Sequence, residues 1–230
     1  MVGFLRAELF EDPTANLPSG VCKDVFPDAD TRLCVSHMPD ASASRPAVFF
    51  DRDGVVNLSP GDGYVLRVED FHFAPGAIAA LALCKARGFA TILVTSQQGV
   101  GKGLMTQTEL DHIHAMMQAE LARQAAIFDG IYACTHLTGT CTCRKPSPEM
   151  IFRAQHEHGI DLTRSWLVGD HDRDIQMAVN SGVPHTVRIL SHHAPKVAAE
   201  FTLGDTAELP ALFSKCLVLD SSIQPPASSI

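Results

Sequence analysis

A bilayer-spanning helix needs about 20 consecutive apolar residues, and no run in this chain approaches that length. Basic residues are also scarce. Eighteen Lys and Arg against 26 Asp and Glu give a formal net charge of -8, so charge alone offers no hold on nucleic acid or an anionic membrane. The amino terminus lacks the basic, apolar and small-residue order of a signal peptide, and it is too acidic for a transit peptide. A soluble cytoplasmic chain acting as a monomer is expected. The glycine-rich run at 99–103 lacks the Gly-Lys-Ser/Thr ending of a nucleotide-binding loop. The seven cysteines are not spaced as a disulfide framework: Cys22, Cys34, Cys84 and Cys216 are scattered, while Cys134, Cys141 and Cys143 crowd around His136. In a reducing compartment such a cluster reads as a metal site.

What is present suits one sizeable core, with 46% hydrophobic and 19% charged residues among 230. Residues 1–45, broken by Pro13, Pro18, Pro27 and Pro39, read as an extension. From residue 46 to 219, apolar runs alternate with amphipathic stretches, which predicts one α/β domain with a doubly wound parallel sheet. The Ser- and Pro-rich residues 220–230 read as a flexible tail. Strands are expected at 47–50, 90–94, 130–133, 166–168 and 185–190. Helices are expected from Pro75 to near Gly88, from the capping box Thr106–Glu109 onward, from Ser147-Pro148 to about Gly159, and after Gly169-Asp170 to about Asn180. His112 and His114, in the second of these, are expected to be exposed or half-buried helix residues.

The most informative stretch is Val48-Phe49-Phe50-Asp51-Arg52-Asp53-Gly54. An apolar strand there ends in two carboxylates one residue apart, at the sheet edge where α/β proteins bind ligands. Paired acids repel unless a cation or a shared proton relieves them. Three further segments fall at the same edge: Thr95-Ser96-Gln97-Gln98, Arg144-Lys145-Pro146 and Gly169-Asp170-His171-Asp172-Arg173-Asp174. Together they supply what phosphoryl transfer through an aspartyl-phosphate needs: a carboxylate nucleophile, a proton donor, a cation and oxygen-binding donors. Cys134, His136, Cys141 and Cys143 form a thiolate-rich, four-donor set of the kind that closes a structural Zn²⁺ site.

In order and spacing these segments resemble the haloacid dehalogenase superfamily of phosphatases, over residues 47–215. Asp-Arg-Asp-Gly-Val-Val-Asn, Gly63-Tyr64-Val65, Thr-Ser-Gln-Gln-Gly-Val-Gly-Lys-Gly and Cys-Arg-Lys-Pro-Ser-Pro-Glu-Met look like the branch of heptose-bisphosphate and histidinol-phosphate phosphatases. The resemblance implies that Asp51 attacks phosphorus and Asp53 serves as acid and then base. Thr95 and the Ser96 amide would hold phosphoryl oxygens, and Lys145 would offset charge. Mg²⁺ would lie on Asp51, the Asp53 carbonyl and Asp170, with Asp174 in support. Arg52, Gly63, Tyr64, Ser96, Gln97, Gln98, Arg144 and His171 would contact a small phosphorylated metabolite, a sugar bisphosphate first and histidinol phosphate second. Val55 and Ser96 stand where that branch usually has Thr and Asn, and the zinc-loop linker is shorter than usual. The intervals Asn57–Ala74 and Thr95–Lys145 leave no room for a cap domain. The acidic balance disfavours a nucleic-acid substrate, and a non-catalytic zinc-organised interaction module is the rival from another class.

Overall fold

The computed structural model describes residues 44–217. Expectations for residues 1–43 and 218–230 fall outside the described residues. The central sheet has six strands, β1 (Ala47–Phe50), β2 (Ala90–Ser96), β3 (Gly130–Cys134), β4 (Trp166–Gly169), β5 (His185–Ile189) and β6 (Phe201–Leu203). Every pairing is parallel, in the order β3-β2-β1-β4-β5-β6. The order reverses between β1 and β4, which opens a crevice beyond their carboxyl ends. Asp51 follows the first of these strands and Asp170 the second.

The helices are α1 (Ala77–Ala86), α2 (Gln98–Gly101), α3 (Gln107–Ala122), α4 (Glu149–His158), α5 (Asp172–Ser181) and α6 (Leu209–Cys216). Side chains alternate across a strand, so β1 feeds two cores. Val48 and Phe50 join Leu81, Ile113 and Phe213 on the face covered by α1, α3 and α6. Ala47 and Phe49 join Ile151 and Ile175 beneath α4 and α5 on the other. Phe50 meets Phe128 and Phe213 edge-on at 6.0 and 6.3 Å, contacts that add about 1 kcal/mol each beyond their burial.

The predicted capping box at α3 is present: Glu109 N–H donates to Thr106 Oγ1 at 3.2 Å, and Thr106 N–H to Glu109 Oε2 at 2.7 Å. Three expectations need correction. His114 is buried rather than half-exposed, because with Leu110, Ile113, Met117 and Leu121 it completes one helical stripe; burial, and then Arg52, lower its pKa to about 4. The glycine-rich run at 99–103, which also reads from sequence as a flexible rim of the site, starts as a helical turn, α2. Strand β6 and helix α6 were not foreseen, although the Asp205–Glu208 capping box ahead of α6 is a readable start signal. No cap domain interrupts the described residues, and none of their helices is long and apolar enough to cross a membrane.

Candidate active site

After β1 the chain turns sharply. Asn57 N–H donates to Arg52 O at 3.0 Å and Gly54 N–H to Asn57 O at 2.8 Å. Gly54 has φ +84°, and an added Cβ would stand 2.5 Å from Asp170 Oδ2. Only glycine permits both the turn and that approach, so the turn sets the β1 and β4 loops against each other.

Asp51 is anchored by its N–H, which donates to Val168 O of β4 at 3.0 Å. Its Oδ1 accepts from Arg52 N–H at 2.7 Å and pairs with Lys145 Nζ at 2.8 Å. Lys145 also meets Asp174 Oδ1 at 2.7 Å, and both of these side chains are fully buried. Carboxylate oxygens of Asp51, Asp170 and Asp174 lie within 4.8 Å of one another. Burial, only partly offset by Lys145, raises the Asp51 pKa to about 6. Burial and then the Asp51 and Asp174 charges raise Asp170 to about 7. Such a cluster is deficient in positive charge, and hard carboxylate oxygens suit a hard dication. Asp174 has both oxygens committed, Oδ1 to Lys145 and Oδ2 to the His171 N–H at 3.0 Å. It therefore supports the cluster, leaving Asp51 and Asp170 as the side chains free to hold Mg²⁺.

Asp53 is aimed by four groups. Arg52 Nε and Nη2 donate to its Oδ1 at 3.1 and 3.0 Å, Asn57 Nδ2 to Oδ1 at 3.0 Å, and Gln97 Nε2 to Oδ2 at 3.0 Å. This corrects two expected substrate contacts. The Arg52 side chain is wholly buried and Gln97 nearly so; both serve Asp53 instead of the cleft. Both residues lie just past a strand end, Arg52 in the turn after β1 and Gln97 between β2 and α2, where they fold back onto Asp53. Gln97 Nε2 also donates to Thr95 Oγ1 at 2.8 Å, which fixes that buried hydroxyl beside the acids. Asn57, assigned no role from sequence, was legible only as the polar end of the Asp-Arg-Asp-Gly-Val-Val-Asn run.

A cleft of about 240 Å³ opens over this floor. Asp53, Asp170, Gly63, Tyr64, Ser96, Gln98, Arg144 and His171 line it, together with Arg173, Asp62, His192 and His193, which the sequence reading missed. Ser96 Oγ and Arg144 Nη1 are buried with no hydrogen-bond partner. Arg173 Nε is a third such atom on a lining residue. Unpaired buried polar atoms are costly, and at the cleft wall phosphoryl oxygens would satisfy them. Lys102 Nζ sits 5.2 Å from the centre of the Tyr64 ring, joining the rim at α2 to the Gly63-Tyr64 loop.

Beside the cleft, Cys134 Sγ lies 3.6 Å from Cys141 Sγ and 3.8 Å from His136 Nδ1, and Cys143 Sγ lies 3.5 Å from the same nitrogen. Ligands on a tetrahedral zinc with bonds of roughly 2.3 Å to sulfur and 2.0 Å to nitrogen stand about 3.5–3.8 Å apart, so the four donors fit that ion. Burial and the neighbouring thiols push Cys143 up to about 12, a further sign of a cluster that gains from a dication. An added Cβ on Gly101 would meet Thr135 O at 2.5 Å, so α2 rests directly on the backbone of this loop.

A family model described as HAD-hydrolase-like matches residues 142–191. The chain is similar to D-glycero-beta-D-manno-heptose-1,7-bisphosphate 7-phosphatase of Yersinia pestis, with 36% identity over 73% of this chain and 94% of that protein. It is similar to the Escherichia coli K12 enzyme of the same name, with 36% identity over 75% of this chain and 95% of the other. Among solved structures, D,D-heptose 1,7-bisphosphate phosphatase from B. bronchiseptica, complexed with magnesium and phosphate, superposes with a TM-score of 0.66 at 27% identity. That match covers 74% of this chain and 98% of the other. The two acids after β1, the hydroxyls at the end of β2, the buried lysine and the acid after β4 thus meet at one crevice. This chain belongs to the haloacid dehalogenase superfamily of phosphatases, in the branch that holds the heptose-1,7-bisphosphate phosphatases.

Proposed function

We propose that residues 46–219 form a Mg²⁺-dependent phosphatase domain that removes the 7-phosphate of a D-glycero-D-manno-heptose-1,7-bisphosphate through an aspartyl-phosphate on Asp51. The observation that carries this reading is the convergence of Asp51, Lys145 and Asp170 on one floor below the unpaired Ser96 Oγ and Arg144 Nη1. The names of the relatives support the substrate class. In the first step an Asp51 oxygen bonds to phosphorus as the bond to the sugar oxygen breaks, and Asp53 gives that oxygen a proton. In the second, Asp53 takes a proton from water as the water oxygen bonds to phosphorus. Inorganic phosphate leaves and the Asp51 carboxylate is restored. Mg²⁺, held by Asp51 and Asp170, would neutralise charge on the transferring group. Thr95 and Ser96 hold phosphoryl oxygens. Lys145 keeps Asp51 ionised and in place, and Arg144 with Gln98 and His171 receives the distal part of the substrate.

Two results are expected on this reading. Asp170→Asn abolishes Mg²⁺-dependent turnover yet stabilises the metal-free protein, because it removes a carboxylate that burial has raised to about 7. The sign is fixed by linkage: the folded form binds the extra proton between the ordinary value near 4 and pH 7. Wild-type stability without metal therefore falls as pH rises through that window. Melting curves should show the variant gaining over wild type from pH 4 upward, by roughly 3 °C or more at pH 8, and losing the Mg²⁺-induced rise. Equal melting temperatures at pH 8 would argue that Asp170 carries no such burden. For the second dication, Zn²⁺ on Cys134, His136, Cys141 and Cys143 would act as a brace, since Cys143 lies two residues before Lys145. Cys141→Ser should reduce bound zinc by one equivalent, measured by elemental analysis. It should also speed amide exchange over residues 134–147 while leaving that of β5 unchanged.

A further inference from the structure

One more set of metal-type donors converges, outside the residues already assigned. Asp62 in the 57–68 loop and His192 and His193 after β5 bring a carboxylate oxygen and two imidazole nitrogens within 4.8 Å of one another. His192 Nε2 and Asp62 Oδ1 are 3.5 Å apart, close to the roughly 3.3 Å between nitrogen and oxygen ligands of one tetrahedral zinc. Their pairing has little to gain by itself: the Asp62 side chain is 92% exposed and that of His192 51%, and exposed pairs contribute about 0–1 kcal/mol.

The histidines are not carried on a loose strand. Ser191 Oγ donates to Asp170 O at 3.2 Å. Asp172 Oδ1 accepts from the Lys196 and Val197 N–H groups at 3.0 Å each and from Arg188 Nη2 at 2.7 Å. Both ends of the 190–197 loop are thereby pinned to the segment that holds Asp170. All three donors line the cleft, and the His193 ring stands 5.2 Å from that of His171. Imidazoles alone could suggest an anion subsite, but the Asp62 carboxylate among them repels anions and favours a cation.

We propose that Asp62, His192 and His193 form a site for one borderline divalent transition-metal ion, such as Zn²⁺, which ties the 57–68 loop to the 190–197 loop at the mouth of the cleft. Two imidazoles and a carboxylate leave a position open to water and the cleft. Mg²⁺ prefers all-oxygen shells, so the floor and the mouth select different ions.

The test uses the full chain with one equivalent of Zn²⁺ in the cysteine cluster and saturating Mg²⁺, titrated with Co²⁺. One further equivalent is expected to bind with nitrogen- and oxygen-type visible bands, while thiolate-to-cobalt bands, which would mark exchange into the cysteine cluster, stay absent. Replacing both histidines by Ala should weaken that binding at least about 30-fold, and Asp62→Ala or His192→Gln roughly tenfold. Circular dichroism and melting curves check that each variant folds. A titration unchanged in the double-histidine variant would overturn the site. Full-strength binding by Asp62→Ala would overturn it too, since adjacent histidines would then be chelating alone.

Discussion

Asp51→Asn should lower phosphate release from a heptose bisphosphate by at least about 10⁴-fold, or roughly 5.5 kcal/mol of transition-state stabilisation. The substitution is nearly isosteric, and the amide oxygen can still accept from Arg52 N–H and lie beside Lys145. Fold and cleft should persist, so the loss reports the nucleophile itself. Asp53→Asn gives the diagnostic contrast. Its nucleophile remains, so p-nitrophenyl phosphate, whose leaving group needs no proton, should release about one equivalent of nitrophenolate and then stall. The stalled protein should carry an acid-stable, hydroxylamine-labile phosphoryl group. An Asp51→Asn variant within tenfold of wild type on the heptose bisphosphate would end the covalent mechanism and leave only the family membership.

Much of this site was legible because its chemistry lies at abrupt changes in the sequence. An apolar run that stops at Asp51, and another that stops at Gly169-Asp170, mark strand ends whatever the helices between them do. Such ends on neighbouring parallel strands must share one edge, so Asp51 and Asp170 could be placed together without coordinates. The direction of single side chains was less accessible. Arg52 and Gln97 carry the right chemistry for a phosphate but are buried in the turns that follow β1 and β2, where they orient Asp53. Composition reveals what a residue can do, whereas the path of the turn decides whether it faces the cleft. Asp62, His192 and His193 were hidden for another reason. Their loops carry no periodic pattern, and 130 residues of chain separate donors that meet because only β4 lies between β1 and β5 in the sheet.

Lys145→Met should cost about 3–5 kcal/mol of stability near pH 8 in the metal-free protein, the toll of breaking a buried ion pair by removing one partner. The side chain is completely buried between Asp51 and Asp174. Burial opposes its charge, but Asp174 and then Asp51 outweigh that and hold its pKa above the ordinary lysine value. Methionine approximates its length and volume, so packing should change little, whereas two carboxylates would be left facing each other in the interior. Asp51, already raised to about 6 with the lysine beside it, would then hold its proton more firmly when folded than when unfolded. The stability difference from wild type should therefore widen as pH rises from about 4 and narrow as pH falls, when that acid is neutral in either state. Adding Asp174→Asn to Lys145→Met should recover part of the loss, and a double-mutant cycle would measure the coupling as roughly 1–3 kcal/mol. Saturating Mg²⁺ should recover another part by supplying positive charge to Asp51. A deficit that stayed constant from pH 5 to pH 8 would instead assign the lysine a packing role and remove the electrostatic account of how Asp51 is kept ionised.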